Sequence, residues 1–190
     1  MILKNDFRVT GDLLTIKTKR KGRNEYIHLD VRDLIYVRFF RWYINGNGYA
    51  IATFPKEMGD WNKKLLMHRL ITQCPEHLHV DHINHNKLDN RRKNLRVCNR
   101  KQNQGNSRKQ SNNKTGFKGV FRSPNGKFIA QAKIDLKSIH IGTFETAEEA
   151  AKAYDKVALA EWGEFAKLNF PVTAGVEITY SSWSAKKEME

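Results

Sequence analysis

The chain has 190 residues, with 34 Lys plus Arg against 20 Asp plus Glu, for a formal net charge of +14. This length admits one ordinary domain or two to three small ones, and 39% hydrophobic residues exclude a wholly disordered chain. The longest apolar runs, such as 34–37, are far short of the roughly 20 residues of a membrane span. The first seven residues include Lys4 and Asp6 where a secretory leader needs an apolar core. Cys74 and Cys98 cannot build a disulfide scaffold and fit a reducing compartment. The expectation is a soluble, intracellular, cytoplasmic protein with no membrane partner. Its excess charge points to a nucleic acid, the plainer alternative being a basic surface that serves solubility alone. The charge is uneven: +4 over residues 1–60, +9 over 61–113, +5 over 114–141 and −4 over 142–190. The acidic last quarter is expected to face away from any phosphate backbone.

Residues 7–55 read as short strands. Tyr26–Asp30 and Tyr36–Tyr43 are rich in aromatic and β-branched residues. The Asn45–Gly48 turn signal precedes a further strand over Tyr49–Phe54. Leu66, Leu70 and Ile71 have helical spacing within Lys63–Cys74, and Pro75 stops that helix. Residues 99–114 contain no apolar side chain, so the first half reads as an exposed helix and the second as a linker.

From Thr115 the pattern predicts three strands, Phe117–Phe121, Lys127–Ile134 and Ser138–Ile141, with a turn at Ser123–Gly126. Phe128, Ala130, Ala132 and Ile134 alternate with Lys127, Ile129, Gln131 and Lys133, giving one apolar and one mostly polar, basic face. Thr146 and Glu149 form a capping box. Ala150, Ala153, Tyr154, Val157 and Ala158 continue as one helical stripe, which Gly163 ends. That helix would cover the apolar face and leave the basic face to a partner. The fold class is therefore α+β. The expected divisions are a β-rich unit at 1–60, a central unit at 61–106, a linker at 107–114, a sheet-and-helix domain at 115–171 and a tail at 172–190.

The chemistry concentrates in His79–Asn103. A carboxylate and an amide oxygen are hard ligands that suit Mg²⁺ or Mn²⁺ rather than zinc. A neutral imidazole can take a proton from water near pH 7. Two protein oxygens leave coordination positions open for phosphate and water, so these parts can hydrolyse a phosphodiester. The segments His68-Arg69-Leu70, Val80–Asn84, Asp89–Arg96 and Gln102-Asn103 resemble the HNH nuclease motif, in the form found in phage and intron-encoded homing endonucleases. The resemblance implies a ββα-metal fold. It implies Asp81 and Asn103 as metal ligands, His82 as the general base and Asn94 as the residue that orients the His82 ring. Arg69 and Arg96 are candidates for phosphate contact or motif packing. Some HNH proteins carry a zinc on two Cys-x-x-Cys pairs. This chain has none, so Cys74 and Cys98 read as small core residues, and His68, His77, His79 and His85 receive no role.

Phe117–Val120, Gly126–Ala130, Ile141–Asp155 and Gly163–Phe170 resemble the Apetala/ethylene-response-factor DNA-binding domain. That resemblance implies three antiparallel strands on one helix, with the sheet in the major groove of double-stranded DNA. The corresponding contacts are Lys118, Gln131, Lys133, Ser138 and His140, with Arg122 and Lys127 as basic additions. Phe121, Asn125 and Ser138 stand where the family usually has arginine, tryptophan and arginine, so its target sequence is not transferred. Together the two resemblances imply a site-specific, metal-dependent DNA endonuclease that acts as a monomer in a bacterial or phage-infected cell. The alternative is a non-catalytic DNA-binding protein with a decayed nuclease motif. A third reading, an RNA-binding or RNA-cleaving protein, is disfavoured by the absence of clear aromatic stacking motifs.

Overall fold

In the computed structural model, the residues described are 4–54 and 63–171. The expected tail at 172–190 lies outside them. The chain divides into two compact units, Met1–Asn99 and Arg100–Glu190. The architecture is α+β, with short helices and several antiparallel sheets.

In the first unit, β1 (Phe7–Thr10), β2 (Leu13–Arg20) and β3 (Arg23–Asp30) form an antiparallel sheet in that order. Its inward face follows from the period-two pattern: Leu14 pairs with Leu29 and Ile16 with Ile27, and all four are fully buried. Each such side chain contributes about 1.5–3 kcal/mol on burial. Tyr36–Tyr43, expected as a strand, is not one. A turn at Val31–Asp33 leads into α1 (Leu34–Val37), and only β4 (Tyr43–Ile44) remains extended. Packing overrides β-propensity here: Val37, Phe40 and Trp42 all reach the core, and the Trp42 indole donates back to the Val37 carbonyl at 2.9 Å.

A second small sheet has the order β4, β5 (Ala50–Thr53), β6 (Lys64–Leu66). The helix expected over Lys63–Cys74 is shorter than its spacing indicates. Leu65 and Leu66 pair with Ala52 and Ile51, so helix α2 spans only Met67–Thr72. Gln73 then turns left-handed (φ +51°) before Pro75. Strands β7 (His79–His82) and β8 (Leu95–Cys98) form an antiparallel pair. One hydrophobic core joins the N-terminal sheet to α2 and β8, through Leu14, Ile27, Trp42, Met67, Ile71 and Leu95.

The second unit begins with α3 (Arg100–Gly105), in the stretch expected as an exposed helix. Its sheet has the order β11 (Lys137–Phe144), β10 (Phe128–Ile134), β9 (Val120–Arg122). Strand β9 starts three residues later than expected, because Gly116 and Gly119 adopt positive φ (+83° and +74°) in the preceding turn. Ala130, Ala132 and Ile134 are buried, and helix α4 (Ala147–Trp162) packs across that face. The Thr146–Glu149 capping box is formed in both directions, and Gly163 ends the helix at φ +53°. Small residues on both surfaces let them approach closely. A Cβ built on Gly119 would lie 2.1 Å from Tyr154 Cδ2.

Candidate active site

Asp81 and His82 are consecutive on β7, so local sequence makes them neighbours on opposite faces of the strand. Both are buried. Asp81 lies opposite Arg96 in the β7–β8 register, and Arg96 Nε and Nη2 both donate to Asp81 Oδ2, at 2.9 and 2.8 Å. Arg96 thus holds the carboxylate through one oxygen. The His82 ring meets His68 edge-on, with centroids 5.1 Å apart, and Tyr49 lies 5.2 Å from His68 and 6.0 Å from His82. Burial pushes the His82 imidazole below its ordinary range, opposed in part by Asn90, Asp81 and Asp89. Burial and the neighbouring His82 lower His68 further, to about 3. Both rings are therefore neutral near pH 7, the form a base requires. The His68 Nδ1 atom is buried without a hydrogen-bond partner.

Residues 83–94 form a loop closed at its base by Ile83 N donating to the Asn94 carbonyl at 2.9 Å. The Asn94 amide locks the interior: its Oδ1 accepts from Asn84 N at 2.9 Å and its Nδ2 donates to the Asp89 carbonyl at 2.8 Å. Asp89 in turn accepts from Asn84 Nδ2 and from both Arg91 Nε and Nη2. The Arg91 guanidinium keeps its carboxyl below the usual carboxylate range. The N-terminal sheet grips the far side of this loop. His28 N donates to the Leu88 carbonyl at 2.8 Å, and Asn90 N donates to the His28 carbonyl at 2.6 Å. Arg92 N donates to Asp30 Oδ2 at 2.8 Å, while Arg92 Nε and Nη2 donate to the fully buried Asp33 at 2.9 and 2.7 Å.

Arg69 donates to the carbonyls of Leu78, Cys74 and Pro75, at 2.8, 3.2 and 2.7 Å. Its guanidinium staples α2 to the turn that launches β7. Cys98 is buried and its thiol is pushed up to about 11 by burial, which makes it a poor thiolate ligand. Among the described residues, no three His, Cys, Asp or Glu side chains form a cluster able to hold a metal ion. One carboxylate with one amide oxygen falls below that count. The Asp81 oxygens are of the hard kind that Mg²⁺ and Mn²⁺ prefer. Asn103 lies on α3, which opens the second unit.

Of the residues nominated for DNA, Gln131 pairs across strands with His140 and Lys133 with Ser138. These four therefore form one patch on β10 and β11, and Lys133, Ser138 and His140 are exposed. Arg122 is exposed on β9, and Lys127 is ion-paired with Glu145. Lys118 is half-buried; its ammonium donates to the Gly105 carbonyl at 2.7 Å and lies within 6 Å of the Tyr154 and Trp162 rings. Burial lowers it to about 8.

Sequence reasoning assigned no role to Tyr49, His68, Asp89 or Asn90. Asp89 and Asn90 fall inside the motif, and His68 begins its first segment. Tyr49 carries no sequence signal, because only the fold brings it to His82.

Residues 66–104 match a family model described as HNH endonuclease. An uncharacterized HNH endonuclease of Acanthamoeba polyphaga mimivirus is 29% identical over 169 residues, covering 87% of this chain and 86% of that protein. An ethylene-responsive transcription factor of Arabidopsis thaliana is 47% identical over 64 residues, covering 33% of this chain and 25% of its own length. A dehydration-responsive element-binding protein of the same plant is 40% identical over 73 residues, covering 37% and 22%. The chain thus spans about a quarter of these plant proteins' length. No helix among the described residues is long and apolar enough to cross a membrane. The chain is thus similar to HNH endonucleases over residues 66–104 and, in its C-terminal part, to plant ethylene-responsive transcription factors.

Proposed function

We propose that the protein is a site-specific endonuclease of the homing type that hydrolyses phosphodiester bonds in double-stranded DNA. The observation that carries this reading is the buried Asp81–His82 pair on β7, inside the segment that matches HNH endonucleases. Asp81 and Asn103 would hold Mg²⁺ or Mn²⁺. When bound, the ion would stabilise negative charge developing on the phosphate oxygens. His82, kept neutral by burial, takes a proton from the attacking water. Tyr49 and His68 wall the ring and limit its rotation. Asn94 acts through the backbone of Asn84 and Asp89, fixing the loop that follows His82. Arg96 holds the Asp81 carboxylate in place. The patch of Gln131, Lys133, Ser138 and His140 lies against the duplex. One such site per monomer cuts one strand per encounter.

One observation favours the alternative of a DNA-binding protein that does not cut. Arg96 already neutralises Asp81, and a neutralised carboxylate attracts a divalent ion less strongly. Incubating the protein with supercoiled plasmid and with fragmented phage genomic DNA decides between them. Nicked or linear product formed with Mg²⁺ or Mn²⁺ and abolished by EDTA is expected. Tight duplex binding without product on either DNA would select the alternative.

A further inference from the structure

A neutral imidazole carries its proton on one ring nitrogen and offers only the other to water, so a base needs a neighbour that fixes the choice. Asn94, which the motif implies for this work, is committed elsewhere. Its amide oxygen accepts from Asn84 N and its amide nitrogen donates to the Asp89 carbonyl. Tyr49 and His68 pack on the His82 ring with centroids 6.0 and 5.1 Å away. Ring contacts of this kind set the plane of an imidazole and not its tautomer.

Asn90 has the chemistry for that choice. Its side chain is fully buried, in the loop that follows His82. Its backbone is clamped: Asn90 N donates to the His28 carbonyl at 2.6 Å, and the preceding Asp89 is bridged to β3 at His28. The side chain takes no part in holding the loop. Neither its Oδ1 nor its Nδ2 makes a full hydrogen bond to a described residue. A buried amide in that condition is costly, and a leucine of similar size would fill the space without the cost. What the amide acts on is the His82 imidazole, which it favours in the protonated form. That is the sign of an acceptor, because an amide oxygen turned toward a ring N–H favours the charged ring and an amide N–H turned toward it would not. Nε2 is the buried nitrogen of that ring.

We propose that Asn90 is a positioning residue for His82: its Oδ1 holds the proton on Nε2, which leaves Nδ1 to take the proton from the attacking water. The proposal rests on the reading of His82 as the base. When water gives up its proton, the ring becomes an imidazolium, and the Asn90 oxygen then accepts a charge-assisted and stronger hydrogen bond. A contact that is loose in the free protein tightens at that moment. Through the backbone bond from Asn90 to His28, the N-terminal sheet helps to set the tautomer of the base.

The full chain is labelled with ¹⁵N-histidine, and long-range ¹H–¹⁵N spectra are recorded in EDTA near pH 7.5. The native chain is compared with Asn90→Leu, Asn90→Asp and Asp33→Ala, the His82 signals being those missing from His82→Ala. The native chain is expected to show His82 as the Nε2–H tautomer. Asn90→Asp, which keeps an acceptor oxygen, should retain it, and Asn90→Leu should shift the ring toward Nδ1–H. Asp33→Ala, which loosens the same loop without touching the ring, should keep the native tautomer. In cleavage assays with Mg²⁺, Asn90→Leu should lower kcat about 10- to 100-fold and leave KM unchanged.

An Nδ1–H tautomer in the native chain overturns the proposal. So does a native spectrum in Asn90→Leu, loss of Nε2–H in Asn90→Asp, or an equal shift in Asp33→Ala, which would make the effect one of loop packing. If Asn90→Leu fails to fold, the native chain and Asn90→Asp decide. If the native chain cuts no DNA, the nuclease reading fails, and the spectra still decide whether Asn90 orients the ring.

Discussion

The two units spend their polar residues in opposite ways. In the first, polar groups are buried and tied together: Asp33, Asp81, His82, Asp89, Asn90 and Asn94 are all below 10% exposed. In the second, α4 and the sheet meet through Ala130, Ala132, Ala150, Ala151 and Ala158, and the polar side chains lie mostly at the surface. A site that must hold a base and a carboxylate in fixed positions needs a rigid polar scaffold, and each member of such a network is costly to lose. A surface that reads a nucleic acid needs exposed donors on a firm platform, which close packing of small residues provides. The comparison also assigns work to the N-terminal sheet. Through His28 and Asp30, and through Asp33 in the turn that follows β3, it braces the loop after His82, so the nuclease segment does not stand alone.

The largest stability effect should fall on the close-packed unit. Gly119→Ala places a Cβ 2.1 Å from Tyr154 and 2.8 Å from the Gln131 carbonyl at a φ of +74°. It should cost about 3 kcal/mol or more, read by urea denaturation and by faster hydrogen exchange along β10 and α4. Next, Asp33→Ala leaves the Arg92 guanidinium without its buried partner. Arg92 is partly exposed, so the loss should be about 2 kcal/mol, with exchange accelerated at Leu88–Arg92. Thr146→Ala removes the α4 cap and should cost about 1 kcal/mol.

The pH dependence is the smallest and most specific probe. Burial holds Lys118 near 8, against an ordinary value of 10.5. Between those values the unfolded chain keeps the proton and the folded chain has released it. Lys118 should therefore add stability as pH rises across that window, while Cys98, whose thiol burial pushes up to about 11, contributes a fall above about pH 9. Lys118→Met should remove the Lys118 contribution, so that the variant's stability gains less than the native chain's between pH 7.5 and 9. Denaturation at pH 7.5, 9 and 10.5 reads both, and an identical profile for the variant would count against a buried ammonium.

Legibility divided along the same line. In the second unit nearly every structural device is local, so it could be read directly: alternation along Phe128–Ile134, the Thr146–Glu149 box and the stop at Gly163. In the first unit the decisive contacts span the chain. The Arg92–Asp33 pair links residues 59 apart, and no spacing rule brings Asn90 to His28. Tyr36–Tyr43 misled because aromatic and β-branched residues suit a strand and a packed turn alike, and only the core around Trp42 chose between them. The motif nominated Asp81, His82 and Asn94. It did not convey that the Asn94 amide is committed to loop backbone, or that Arg69 staples a turn.

The central claim is that the buried Asp81–His82 pair cuts DNA that the second unit holds. The most direct measurement follows binding and cleavage of one DNA by the native chain and by His82→Ala, with Mg²⁺ and with EDTA. The account predicts equal binding by both proteins and Mg²⁺-dependent cleavage by the native chain alone, reduced in the variant by at least about 100-fold. Cleavage by His82→Ala at the native rate, or binding with no cleavage by either protein, would contradict it.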